Sequence, residues 1–261
     1  MRKFNELIFG SSHPYGQKVE AEDFGKVEQK QLSEFYYRHY SSAHCKIIIS
    51  GKVDESVKSK IEEYFGKTEW NNIDAFPSRY FKSCNNGPVK FPVPKPDSVQ
   101  SAVRTGKLLV KSDHPDYSGM MVLNTVLGGY FGSRLMSKIR EEKGYTYGIG
   151  SALVSLRNAG YFFISTEVAS GACSEAINDI HGEIRKLREE LISDAELNRV
   201  RSYMLGDILR QFDGPFASAD NLRYLLDLGL DYGFYDKIIH TIRNVTPDDL
   251  NVLANKYFQE D

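Results

Sequence analysis

Arg140 and Tyr147, seven residues apart in the stretch Gly128 to Gly150, are the side chains best suited to holding a ligand. A guanidinium presents a fixed fork of N–H donors and a phenol adds one more. Backbone carbonyls, or the C-terminal carboxylate of a bound peptide, accept from such a set, and a charged hydrogen bond of this kind contributes roughly 1.5 to 3 kcal/mol. A plainer reading stands beside it. Arg140 falls at the edge of the apolar face formed by Leu135, Met136 and Ile139, where its stem packs and its head pairs with a carboxylate.

The histidines are poorly placed for metal chemistry. Zinc peptidases set two histidines and a glutamate on one helical face, as His-Glu-x-x-His or its inverse His-x-x-Glu-His, so that the glutamate activates a zinc-bound water. None of the six histidines fits: His39 and His44 straddle a predicted helix end, His181 lies two residues before Glu183, and His13, His114 and His240 are isolated. The expectation is solvated or locally hydrogen-bonded imidazoles, no metal ligand and no catalytic residue. No Gly-x-Ser-x-Gly elbow or phosphate loop is present, and Gly128-Gly129 reads as a helix-to-helix turn needing positive φ.

The elements that must position Arg140 and Tyr147 follow from periodicity. A strand is predicted over about Val99 to Val110 and a helix over about Pro115 to Leu127. The glycine-punctuated turn and a short basic helix come next, then strands over about Thr146 to Leu156 and Gly160 to Ala169 joined at Arg157-Asn158-Ala159-Gly160. Ile177, Ile180, Ile184, Leu187 and Leu191 step by three and four, the stripe of a helix lying on a sheet. Ser193 and Thr246-Pro247 begin two further helices. Upstream, Leu32, Phe35, Tyr36 and His39 share one face of a helix, Lys46 to Val53 reads as a largely buried strand, and Glu55 to Phe65 as a helix. Between them and the second segment, about Gly66 to Ser98 holds five of the nine prolines, a linker or crossing arm whose Val89, Phe91 and Val93 suggest packing.

At 261 residues, with 41% hydrophobic and 26% charged, the chain suits one large or two modest domains. Its 33 basic and 35 acidic residues are mixed along the sequence, which argues against nucleic acid and anionic lipid. No stretch approaches the ~20 apolar residues of a membrane span. Cys45, Cys84 and Cys173 are far apart and odd in number, as expected of reduced thiols, which leans cytoplasmic. Near the N-terminus the apolar run Leu7-Ile8-Phe9 is too short for a signal-peptide core.

Two parts of the chain echo each other. Val27, Leu32, Phe35 and Tyr40 have the spacing of Val245, Leu250, Leu253 and Phe258. The first copy leads into the run at Lys46, and the second reaches Asp261 before any such run. The expectation is a piece of a two-unit protein, the first unit without its beginning and the second without its closing strand.

Several ordered motifs resemble the M16 family of inverse-motif zinc peptidases, which includes insulinase, pitrilysin and mitochondrial processing peptidase. They are Gln100 to Gly106, Leu127-Gly128-Gly129, Ser133-Arg134-Leu135, Ile139 to Gly144 and Tyr147, which match its non-zinc domain. Phe9 to Gly16 and Lys46 to Asp54 resemble the end of its zinc-bearing domain. The resemblance implies an α/β fold of α+β type, in repeated units of mainly antiparallel sheet with helices packed on it, the first unit incomplete. Residues 1–66 would be a remnant of the zinc-bearing unit, 67–98 a linker and 99–261 the non-zinc unit. It implies that Arg140 and Tyr147 bind a peptide substrate. Zinc is then expected in the complete enzyme but not on this chain, because the inverse histidine motif is not in this sequence. The implied partners are a zinc-bearing domain or a catalytic subunit, in a homo- or heterodimer. The alternatives are a non-catalytic subunit, or a structural protein like the core subunits of the bc1 complex.

Overall fold

The computed structural model describes residues 2–66, 87 and 89–259, which fall into two compact units. Met1–Cys84 with Phe212–Arg223 form the first, and Asn85–Gln211 with Tyr224–Asp261 the second.

The first unit is built from α1 (Arg2–Phe9), α2 (Ala21–Phe24), α3 (Gln29–His39) and α4 (Glu55–Phe65). Phe9 closes α1 fully buried, with the His13 ring stacked 5.1 Å away and Tyr15 edge-on at 5.5 Å. The Tyr15 N–H donates to His13 Nδ1, so His13 is a packed, locally bonded imidazole. Asp54 caps α4 by accepting from the Val57 N–H at 3.1 Å.

One expectation fails in this unit, while the helix expected through Leu32, Phe35 and Tyr36 forms as α3. Lys46 to Val53 forms no strand: the run lies outside any sheet, with Ile47 45% and Ile49 42% exposed. A β-branched run becomes a strand only when a neighbouring segment takes its N–H and C=O groups, and no described segment does. The apolar face of α3 is likewise exposed at Leu32, Phe35 and Tyr36. Its aromatics stack along the helix instead, Tyr36 on Tyr40 and Phe35 on His39.

In the second unit the order is β1 (Gln100–Leu109), α5 (Tyr117–Asn124), β2 (Thr146–Ser155), β3 (Gly160–Ala169), then α6 (Cys173–Glu189) and α7 (Asp194–Gln211). α8 (Pro215–Leu228) is shared between the units, and α9 (Gly233–Asn244) and α10 (Pro247–Tyr257) complete the second. The strands form an antiparallel sheet in the order β1-β3-β2. Gly160 is needed where β3 starts, because a Cβ there would meet the Val110 carbonyl oxygen at 2.4 Å.

α5 and α6 pack on the sheet, α10 on both of them, and α9 on α5 and α7. The predicted stripe of α6 is buried at Ile180 and Leu187, but Leu191 lies beyond the helix and is exposed. Side chains tie the helices together. Arg201 donates to the carbonyls of Ile242 (3.1 Å) and Val245 (2.6 Å) at the end of α9, and Asn251 of α10 donates to Arg188 O at 2.8 Å. Asp116, at the start of α5, accepts from Lys256 Nζ and Tyr257 OH, both at 2.6 Å. Lys256 and then Tyr257 hold its carboxyl below the usual carboxylate range.

Most of the proline-rich stretch, including Cys84, lies outside the described residues. Val89, Phe91 and Val93, of which packing was expected, are exposed. Cys45 and Cys173 are free thiols.

Candidate functional site

The glycine turn closes by contact, and φ plays no part in it. A Cβ on Gly128 would lie 2.6 Å from Ser151 Oγ, 2.8 Å from Ser151 N and 2.9 Å from Leu135 Cδ1. Neither Gly128 nor Gly129 has positive φ, which corrects the sequence expectation; Gly144, at φ 66°, is the glycine here that uses the left-handed region. Gly128 therefore lets the turn lie directly against β2. The Arg134 fork grips Glu196 of α7 through Nε–Oε1 and Nη2–Oε2, both 2.8 Å, and fixes the turn to the helical layer.

Two π-helical segments bracket this turn, Thr125–Gly129 following α5 and Met136–Glu142 carrying Arg140. The second is widened by a bond from Lys143 N to Lys138 O at 3.1 Å and closed by one from Tyr145 N to Ile139 O at 3.0 Å. Leu135, Met136 and Ile139 are buried beneath it as their spacing predicts, and Arg140 sits half-buried at the edge.

Tyr147 owes its position to a bulge in β2. Thr146 pairs with Val168 and Ile149 with Thr166, so Tyr147 and Gly148 together oppose Glu167. Threonine hydroxyls stitch the bulge: Thr146 Oγ1 donates to Glu167 O (2.6 Å) and accepts from Gly148 N (3.1 Å), while Thr166 Oγ1 donates to Gly148 O at 3.0 Å. The ladder is bent to turn Tyr147 outward, leaving it 91% exposed.

No hydrogen bond joins Arg140 to Tyr147 among the described residues. The Arg140 guanidinium lies over the Phe131 ring, 4.8 Å from its centroid. Glu142, a carboxylate close by in sequence, is held by Lys138 at 2.5 Å, which draws its carboxyl below the usual range. The expected carboxylate partner of Arg140 is thus replaced by an aromatic face, and its N–H groups remain available to a ligand. Phe131, 63% exposed between Tyr130 and Gly132, was missed by the sequence reading. Its signal was a large aromatic side chain set inside a glycine-rich turn, where no core face calls for one. Tyr130 beside it is anchored on Tyr203 of α7, with centroids 4.8 Å apart.

Among the described residues no three His, Cys, Asp or Glu side chains converge as metal ligands, and no helix is long and apolar enough to cross a membrane.

Residues 26–204 match the family model described as the peptidase M16 inactive domain. An uncharacterised zinc protease of Mycobacterium leprae is 26% identical over 262 aligned residues, covering 97% of this chain and 57% of that protein. The crystal structure of a peptidase M16 inactive domain from Pseudomonas fluorescens superposes with a TM-score of 0.82 at 19% identity, over 98% of this chain and 61% of that one. A protease from Helicobacter pylori gives 0.83 at 19% identity, over 95% and 61%. The chain thus spans less than two thirds of the length of these three proteins.

Proposed function

The chain belongs to the peptidase M16 family, in which it matches the inactive domain over residues 26–204, and from that premise we propose that it supplies the substrate-holding wall of a zinc endopeptidase. Arg140 donates to the backbone carbonyls or C-terminal carboxylate of a peptide, and the Tyr147 hydroxyl adds a second contact. In this reading residues 1–66 are a remnant of the zinc-bearing unit, 67–98 a linker and 99–261 the non-zinc unit.

The observation that carries the reading is the bulge at Tyr147–Gly148. A strand is interrupted, and its interruption hydrogen-bonded by two threonines, with an exposed phenol as the result. Beside it, Phe131 holds the Arg140 guanidinium without neutralising it, since a ring face attracts a cation yet leaves its edge N–H groups to other acceptors.

Hydrolysis needs a zinc-activated water, and this sequence has no His-x-x-Glu-His motif in which to bind the metal. The zinc-bearing domain, on the same polypeptide or on a partner subunit, completes the site in a homo- or heterodimeric assembly. By itself the chain is expected to hold no stoichiometric zinc by atomic absorption and to cleave no peptide.

The test is peptide turnover with the zinc-bearing domain present. Arg140→Ala and Tyr147→Phe are each expected to lower kcat/KM by about ten- to a hundredfold, with circular dichroism and melting unchanged. Wild-type kinetics in both variants would remove them from the site. A tightly bound zinc on the isolated chain would overturn the division of labour.

A further inference from the structure

The two arginines of the glycine-turn segment are held in opposite ways. Arg134 is committed to Glu196 of α7 by two bonds of 2.8 Å, a pairing that balances its charge. Arg140 has the Phe131 ring against its guanidinium, 4.8 Å from the centroid, and a ring face attracts a cation without cancelling it. The first arrangement suits a structural clamp, the second a cation that must stay charged for a ligand.

Phe131 is itself held in place from α7. The Ser133 N–H donates to Tyr130 O at 3.1 Å, closing a tight turn with Phe131 and Gly132 as its two central residues. Tyr130, at the first position of that turn, packs on Tyr203 of α7 with centroids 4.8 Å apart. The Tyr130 ring also covers Gly132, where a Cβ would lie 2.8 Å from Tyr130 Cε2, so only glycine lets the turn close this tightly. Glu196 and Tyr203 stand about two turns apart on one face of α7 and secure the segment on either side of Phe131, Tyr203 through Tyr130 and Glu196 through Arg134. Every member of this chain of contacts lies between Tyr130 and Tyr203, within the second unit.

We propose that Phe131 is a positioning residue of the peptide-holding site: it fixes the Arg140 guanidinium for the peptide and does not bind the peptide itself. The inference rests on the reading of Arg140 as a peptide donor. An arginine side chain samples many rotamers, and immobilising it on binding weakens affinity. A ring already in contact with the guanidinium removes part of that penalty before the peptide arrives. A carboxylate in the same place would instead compete with the peptide for the N–H fork.

A double-mutant cycle tests this, read as equilibrium binding of a fluorescein-labelled, alanine-rich peptide with a free C-terminus to the whole chain. Phe131→Leu, which keeps bulk and loses the ring, is expected to weaken binding by about two- to tenfold, and Arg140→Ala by at least about tenfold. The double variant is expected to bind no more weakly than Arg140→Ala alone, and Phe131→Tyr, which restores the ring face, to bind as wild type does. All four are expected to keep the wild-type melting curve. In proton NMR the Arg140 Nε–H signal, identified by its loss in Arg140→Ala, is expected upfield in wild type and Phe131→Tyr, from the ring current, and downfield of that position in Phe131→Leu. Wild-type affinity in Phe131→Leu beside a weakened Arg140→Ala overturns the inference and leaves the peptide-holding reading intact. An equal loss from Phe131→Leu with and without Arg140 also overturns it, since Phe131 would then touch the peptide directly, as does an Nε–H signal that Phe131→Leu leaves in place. A wild-type chain that binds no peptide, or an Arg140→Ala variant that binds as wild type does, removes the peptide-holding reading and the inference with it.

Discussion

α3 and α10 are the same helix written twice and used differently. They share length, N-terminal bonding and the spacing of their apolar residues. Leu250 and Ala254 of α10 are fully buried, whereas Leu32, the counterpart of Leu250, is 58% exposed and α3 buries no residue at all. An apolar stripe states which face of a helix seeks a partner; whether it finds one depends on segments elsewhere in the chain. α10 has α5 and α6 beneath it, and those rest on a three-stranded sheet.

The sharpest way to break this comparison is to truncate the paired leucines. Leu250→Ala is expected to cost about 2 to 5 kcal/mol, the usual loss for a buried leucine, and to be read as a lower midpoint in urea. Equal losses at Leu250 and Leu32 would show that α3 is buried after all. Next comes the glycine turn. Gly128→Ala forces a methyl against Ser151 and Leu135 and is expected to cost about 1 to 3 kcal/mol, while Gly51→Ala in the first unit has open space around its Cβ and loses only through its φ of 114°.

A smaller effect is expected at Asp116, which ties the start of α5 to the end of α10. Its carboxyl titrates below the ordinary carboxylate value because Lys256 and Tyr257 bond the ionised form. The stabilisation is therefore complete above the unfolded-state pKa, about 4, and is lost as pH falls through the lower folded-state value. Asp116→Asn is expected to melt below wild type at neutral pH and to converge on it under acid. A gap that stays constant with pH would contradict this. Smallest of all is Leu32→Ala, expected within about 0.5 kcal/mol of wild type.

The second unit was legible where its periodicity was completed by neighbours. β1, β2 and β3 lie within a residue or two of the predicted spans, and the turn at Arg157 to Gly160 joins β2 to β3 as expected. The run at Lys46 had the composition of a strand and failed because a strand is a property of a pair. Gly128-Gly129 was recognised as a turn but for the wrong reason, since close approach to Ser151 leaves no mark in a sequence that distinguishes it from a need for positive φ. The π-helical turns were invisible because one extra residue per turn barely alters the apolar spacing of Leu135, Met136 and Ile139. Arg140 and Tyr147 were readable as donors at the edges of their elements. Phe131 became meaningful only when the guanidinium was found above its ring.

The most direct test of the peptide-holding account is equilibrium binding of a fluorescent peptide to this chain, compared with the double variant Arg140→Ala/Tyr147→Phe. Loss of the charged hydrogen bond predicts an affinity at least about tenfold weaker in the variant, with an unchanged melting curve. Equal affinity in two equally folded proteins would contradict it.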